Sequence, residues 1–331
     1  MSLGRGFYVT KAWIARYFPP AIPEIAAIFL APEIILHKKA YLSLIIATLA
    51  WGGNAVAGKL AVGHVSPMML TFWRWFLAVA IIFAISMPQL IKDWPVVRKN
   101  LPILLFLGVV GYVVFNAALY TAVNYTTAIN VTVEQAVIPM LIFVINFALF
   151  RMKVSWAQIL GFTLTLLGGV LTAVHGDLSA LVTLTVNSGD AIMMIAIVAY
   201  AIYTVALRWR PKVNWRTLMA VPAFFAMIFS LPLAFWEYSS DRLIWPDTEG
   251  WIVVLYTAVF ASLIAQVLYI KGVEEIGANR AGLFINLVPV FGTLLSVAII
   301  GESLQLFHVV ALALALGGIA IAEWGKPHMD R

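Results

Sequence analysis

The chain has 331 residues, 63% hydrophobic and 11% charged, with 21 Lys and Arg against 15 Asp and Glu and a mean hydropathy of +0.97. A soluble domain carries about a quarter charged residues, so most of this chain cannot face water. There is no cysteine, which excludes disulfides, thiolate metal sites and cysteine nucleophiles, and the formal charge of +6 does not mark a nucleic-acid partner, because the loops are too short to form a solvated basic face.

Residues 1–40 stand apart from the rest of the chain. The stretch "AIPEIAAIFLAPEIIL" (21–36) is short for a span, carries Glu24 and Glu33, and is broken by Pro23 and Pro32. It lacks the clean apolar region and small-residue cleavage site of a signal peptide, so a cytoplasmic or interfacial segment is expected. Ten apolar stretches come after it, at 41–62, 67–88, 101–122, 128–149, 155–175, 190–208, 216–236, 251–270, 280–300 and 305–324. Each is near the roughly 20 residues with which a helix crosses about 30 Å of hydrocarbon. Pro67 and Pro102 sit where first-turn prolines belong. Barrel strands alternate and stay short, so the expected fold is an all-α polytopic membrane protein of ten transmembrane helices.

Lys and Arg collect in alternate loops. With the N-terminus inside, 18 of the 21 fall in inner segments, Arg242 alone falls in an outer loop, and Lys59 and Arg74 lie within spans. That bias predicts a multi-pass protein of a bacterial-type plasma (inner) membrane with both termini cytoplasmic.

The two halves of the chain match at a nearly fixed offset. At 149 residues, Leu119-Tyr120 meets Leu268-Tyr269 and Gly168-Gly169 meets Gly317-Gly318; with one inserted residue, Ala128 meets Ala278 and Pro139 meets Pro289. Two repeats are therefore expected, at 41–175 and 190–324. Five helices each is an odd number, so the second repeat enters the membrane inverted. That plan belongs to alternating-access transporters, with a substrate site near mid-membrane between the halves.

The residues themselves resemble a known family. "WGGNAVAGKLAVGHVSPMMLTFWRWFLA" (51–78) resembles the opening of drug/metabolite transporter superfamily proteins, with Trp-Gly and Asn on helix 1, a Lys near its end, then Ser-Pro and an Arg. The stretches 118–150 and 267–302 resemble the two copies of the EamA repeat, and "GFTLTLLGGV" and "ALALALGGIA" its closing helix. Within the superfamily the chain is similar to YddG-type aromatic amino acid exporters. The first repeat departs from the pattern: Glu302 closes the second copy, but the first has "FRMKV" there.

A charge at membrane depth normally faces a partner or a water-filled cavity. Lys59, Arg74 and Glu134 reach similar depths below the outer surface, so all three can meet, either as a structural ion pair or as a gating group with Glu134 carrying a proton. The second half keeps none of them, since Ala223 and Phe284 occupy the places of Arg74 and Glu134. Pro139 and Pro289 each free a backbone carbonyl and permit a bend or a hinge.

Trp94, Trp156, Trp215, Trp236, Trp245, Trp251 and Trp324 fall near span ends, as interfacial belts do. Trp51, Tyr112, Phe115, Tyr200 and Tyr203 fall near mid-span, where they either pack as core or stack a planar ligand. Asn54 shares a helix face with Trp51 and Asn116 with Tyr112, and Gln266 and Asn286 offer amides from the second half. The expected substrate-binding set is therefore Trp51, Asn54, Tyr112, Asn116, Tyr200, Tyr203, Gln266 and Asn286, and the expected activity is export of small amphipathic metabolites, foremost aromatic amino acids. A proton-coupled pump for cationic drugs using Glu134 is the alternative. No H-E-x-x-H zinc motif or G-x-S-x-G elbow occurs, so no cofactor, metal or catalytic residue is expected. The partners are the lipid bilayer and a small molecule, with no nucleic acid.

Overall fold

Long apolar runs in lipid must satisfy their backbone polar groups internally, and the helix does so without help from another segment. The computed structural model describes residues 38–151, 155–177, 187–276, 281 and 284–324; the stretch at 21–36 lies outside them. We number its helices α1 (Lys38–Leu60), α2 (Pro67–Val97), α3 (Leu101–Ala122), α4 (Ala128–Phe150), α5 (Trp156–Ala173), α6 (Ser188–Trp209), α7 (Trp215–Ser239), α8 (Thr248–Ile276), α9 (Leu287–Ile300) and α10 (Leu306–Trp324). Among the described residues there is no strand. Seven of these helices are long and apolar enough to cross a membrane, whereas α5, α9 and α10 are shorter apolar helices.

Side-chain caps set several starts. Thr127 accepts the Asn130 amide at the head of α4, and Ser155 and Gln158 form a reciprocal capping box on α5. Two carboxylates cap across the repeats. Glu237 of α7 accepts from the Met68 and Met69 amides and Ser66 Oγ at the head of α2, while Glu302 accepts from the Ala128 and Ile129 amides at the head of α4. The negative groups sit where the helix dipole favours them.

The boundary that differs most from expectation is the end of α2. α2 runs to Val97 rather than residue 88, through Pro88 and Pro95. Tertiary contact holds the extra turns: Asp93 accepts from Thr217 Oγ1 at 2.6 Å and from the Asn214 amide at 3.1 Å, joining α2 to the start of α7.

Short connections make successive helices antiparallel. Lys92, Arg98, Lys99, Arg208, Arg210, Lys212 and Arg216 then share one end of the bundle, the basic end, where α1 also begins. Packing follows the repeat. α1 lies against α8 and α9, and α6 lies in the same way against α3 and α4; α2 runs along α7, and α5 along α10. Small residues allow the close crossings, as expected for helices in lipid. A Cβ on Gly52 of α1 would lie 2.7 Å from the Gly292 amide nitrogen of α9, and one on Gly292 would lie closer still to the Thr132 side chain of α4, so each position needs glycine.

The helices break at matching places. π-helical turns occupy Leu107–Val114 in α3 and Tyr256–Ile264 in α8, whose first residues are 149 apart. A 3₁₀ stretch, Gln135–Val137, interrupts α4 before Pro139, and a turn at Ile285 and Asn286 precedes α9 before Pro289. Irregular turns inside helices are common at functional sites.

Candidate functional site: a cavity between the repeats

A cavity of about 540 Å³ opens where these breaks meet, within the usual range for a small-molecule site. Its deep end carries Trp51, Asn54, Arg74 and Asn116, and it continues past Tyr112, Tyr203 and Tyr269 to Leu207, Met219, Ile285 and Ile319 near the basic end. The opposite half of the bundle is filled: Leu70, Leu119, Val123, Val131, Met193 and Ile197 are at most 1% exposed and pack as one cluster.

The π turns build the walls. A π turn shifts the hydrogen-bond register and leaves carbonyls free for other donors. In α3 the Tyr112 carbonyl accepts from Asn116 Nδ2 at 2.6 Å and from Trp75 Nε1 at 3.4 Å. In α8 the Ala261 carbonyl, 149 residues on, accepts from Trp51 Nε1 at 3.1 Å. Each repeat thus holds a tryptophan edge-on by the same carbonyl. Trp75 stacks flat on Tyr112, at 4.4 Å between centroids and 5° between planes, and Trp51 packs on Tyr269 at 5.2 Å. Tyr200 and Tyr203 of α6 complete the aromatic wall.

Arg74 stands at the deep end, 6% exposed. Its Nε donates to Ser262 Oγ at 2.7 Å, and its Nη1 donates at 2.7 Å to each of Asn54 Oδ1 and Asn116 Oδ1, and also to the Tyr120 hydroxyl. All four acceptors are neutral, and no hydrogen bond from Nη2 occurs among the described residues. Among the described residues, Arg74 is the one charged residue lining the cavity, and no acidic residue lines it. The site is therefore an apolar, aromatic slot with a fixed positive charge at its closed end.

The sequence profile of the EamA-like transporter family matches residues 38–174 and 187–324. This chain belongs to that family. It is 28% identical over 301 residues to the uncharacterized transporter YetK of Bacillus subtilis, covering 89% of this chain and 91% of that protein. It is 26% identical to YyaM, a second uncharacterized transporter of that organism, over 87% of this chain and 94% of the other. YicL, an uncharacterized inner membrane transporter of Salmonella typhimurium, is 26% identical over 86% of this chain. A solved crystal structure superposes with a TM-score of 0.58 at 22% identity, covering 86% of this chain and 96% of that one, and so shares the fold. The protein is thus a membrane transporter of the EamA type, built from two EamA repeats.

Of the residues singled out in the transporter's sequence, Trp51, Asn54, Tyr112, Asn116, Tyr200, Tyr203, Gln266 and Asn286 all line the cavity, as do Arg74, Pro139 and Pro289. Lys59 and Glu134 do not. The expectation that Lys59, Arg74 and Glu134 meet is corrected: Arg74 takes the neutral acceptors named above, and Lys59 Nζ donates at 2.8 Å to the Val123 and Thr126 carbonyls that end α3. Glu134 bonds to neither. Depth along a helix axis does not fix direction around it, and the three side chains point to different neighbours. Trp75, Ser262 and Tyr269 were missed. Tyr269 had a signal, the Leu-Tyr pair shared by both repeats; Ser262 had none, since it lies in the π turn of α8, and Trp75 had none, since its partner is a carbonyl in the π turn of α3. Among the described residues, the side chains with metal-ligand chemistry that come together are His64, Asp247 and Glu249, at the surface away from the cavity.

Proposed function

We propose that the transporter exports small aromatic amino acids through this cavity by alternating access. In this reading all ten apolar helices cross an inner membrane and the basic end faces the cytoplasm. The observation that carries it is Arg74: a buried guanidinium that, among the described residues, has no acidic partner and no bond from Nη2, with aromatic walls beside it. Leaving such a charge uncompensated in lipid is costly, so a ligand that brings a carboxylate gains from it. The indole or phenol of the same ligand stacks among Trp51, Trp75, Tyr200 and Tyr203, while Gln266 and Asn286 offer oxygens to an amino group. A cationic drug fits poorly, because the charge in the slot is already positive.

The test is counterflow in proteoliposomes with labelled tryptophan. Unlabelled tryptophan, tyrosine and phenylalanine are expected to compete strongly, and glutamate and lysine weakly. Transport of a quaternary cation without tryptophan counterflow would transfer the assignment to a drug pump.

A further inference from the structure

Glu134 is fully buried, 0% exposed, and among the described residues neither carboxyl oxygen has a hydrogen-bond partner. It ends the first helical stretch of α4, directly before the 3₁₀ break at Gln135–Val137 and five residues before Pro139. The acidic group that acts on it is Asp190 of α6, whose side chain is also fully buried, beside the polar side chains of Thr126 and Asn130. One Asp190 oxygen lies 3.0 Å from His175 Nε2. His175, just past α5, is 45% exposed. Side chains thus lead from solvent at the end opposite the basic one, through His175 and Asp190, to the neighbourhood of Glu134.

The other charged and titratable groups near α4 are engaged elsewhere. Lys59 of α1 holds the end of α3, Glu302 caps α4 itself, and His308 of α10 pairs with Asn130 Oδ1 at 3.0 Å. α9 contributes no titratable side chain to this face. Glu134 and Asp190 are therefore two buried carboxyl groups close enough to repel, and among the described residues the group set to bring them positive charge is His175, on one oxygen of Asp190. A metal ion would need several oxygen ligands, typically about six, and the free oxygens of Glu134 have no such company. A single proton removes one charge without any further ligand.

We propose that Glu134 and Asp190 form a proton-binding site filled through His175, and that its loading and emptying bias the α4 hinge during transport. A proton taken up at His175 Nδ1 lets the Nε2 proton pass to Asp190, so the imidazole ends neutral and the proton resides on the carboxyl pair. Emptying the site restores repulsion between Glu134 and Asp190 across α4 and α6, next to the 3₁₀ stretch. Gln135, the next residue, lines the cavity, so movement there is felt by the substrate. The coupling half of this inference rests on the transport reading above; the proton-binding half does not.

Two measurements on the full-length protein in liposomes test it. The first is infrared difference spectroscopy across a pH titration, reading the C=O stretch of protonated carboxyls. Wild type is expected to show a band that Glu134→Gln removes and Asp190→Asn alters, while His175→Gln slows its appearance after a pH jump at the opposite-end face. The second compares tryptophan accumulation under a pH gradient with counterflow in its absence. One proton per substrate gives up to about tenfold accumulation per pH unit. Whatever its counterflow rate, Glu134→Gln is expected to gain nothing from the gradient.

A carboxyl band unchanged in Glu134→Gln overturns the site. A full gradient response in that variant overturns the coupling, as does accumulation driven by sodium in place of protons. Absence of tryptophan counterflow in wild type defeats the substrate reading, and the infrared titration then decides the proton site alone. Should Glu134→Gln fail to fold, Glu134→Asp takes its place, with a shifted band expected and an unchanged one overturning the site.

Discussion

Arg74 shows what a single residue can and cannot reveal. Its place in an apolar run announced a partner, and the partners found are the amides of Asn54 and Asn116 with two hydroxyls, not an acid. Neutral acceptors hold the guanidinium in place without cancelling its charge. If Nη2 takes the substrate carboxylate, Arg74→Met should remove a charge-assisted bond of about 1.5–3 kcal/mol, weakening tryptophan binding roughly 10- to 150-fold. Counterflow titrations of tryptophan and of its amide would read this, the amide being expected to lose far less. Equal losses for both would mean that Arg74 only holds the walls. A second residue-scale contact lies outside the membrane. Asp247 hydrogen-bonds His64 at 2.8 Å and holds its imidazole above the ordinary value of 6.5; the Gly250 amide, with His64, holds Asp247 below 3.8. The His64 contribution is complete below 6.5 and is lost as pH rises through the raised value, while that of Asp247 is present above 3.8 and is lost as pH falls through the lowered one. The contact between the α1–α2 and α7–α8 loops is therefore fully formed between those limits. An NMR titration should place the His64 midpoint above that of a free histidine, and Asp247→Asn should bring it back.

At the scale of elements, the breaks matter more than the helices. Hydropathy located ten apolar helices because lipid leaves the chain few alternatives, and the offset of 149 exposed the repeat. Neither showed the π turns, which depend on register and on carbonyls that Trp51 and Trp75 capture across the bundle. Nor could a proline rule foresee α2 passing Pro88 and Pro95, because Asp93 ties it to α7. The paired prolines were visible, and the structure sets each behind an irregular turn beside the cavity. If Pro139 shapes a hinge, Pro139→Ala should restore a backbone bond, stiffen α4 and slow counterflow while leaving thermal stability equal or higher. An unchanged rate would make the bend static. Gly52 differs, since its neighbour is the backbone of α9. Gly52→Val should destabilise by about 1–3 kcal/mol through overpacking, read as a lower melting temperature in detergent.

For the whole molecule, under the alternating-access reading proposed above, the filled half and the half with the cavity together describe one state of the transport cycle. Leu70, Val131 and Ile197 close the bundle opposite the basic end, and Glu237 and Glu302 fasten the heads of α2 and α4 there. The first repeat has no acid at the position matching Glu302, so the two ends cannot be fastened alike. Lys and Arg counting gave a direction for the chain but no state, because the open and closed arrangements of inverted repeats have the same loops. Cysteine labelling can read both at once, as the chain has no cysteine to remove. With the basic end in the cytoplasm, Leu207→Cys and Met219→Cys should react with an impermeant maleimide in inside-out vesicles and stay protected in right-side-out ones. Val65→Cys, at a position 2% exposed near the other end, should resist labelling from both sides in the resting state and become reactive from outside when tryptophan is cycled. Labelling of Leu207→Cys from outside alone would reverse the orientation. Rapid resting labelling of Val65→Cys would mean that the closed half is the one that opens first.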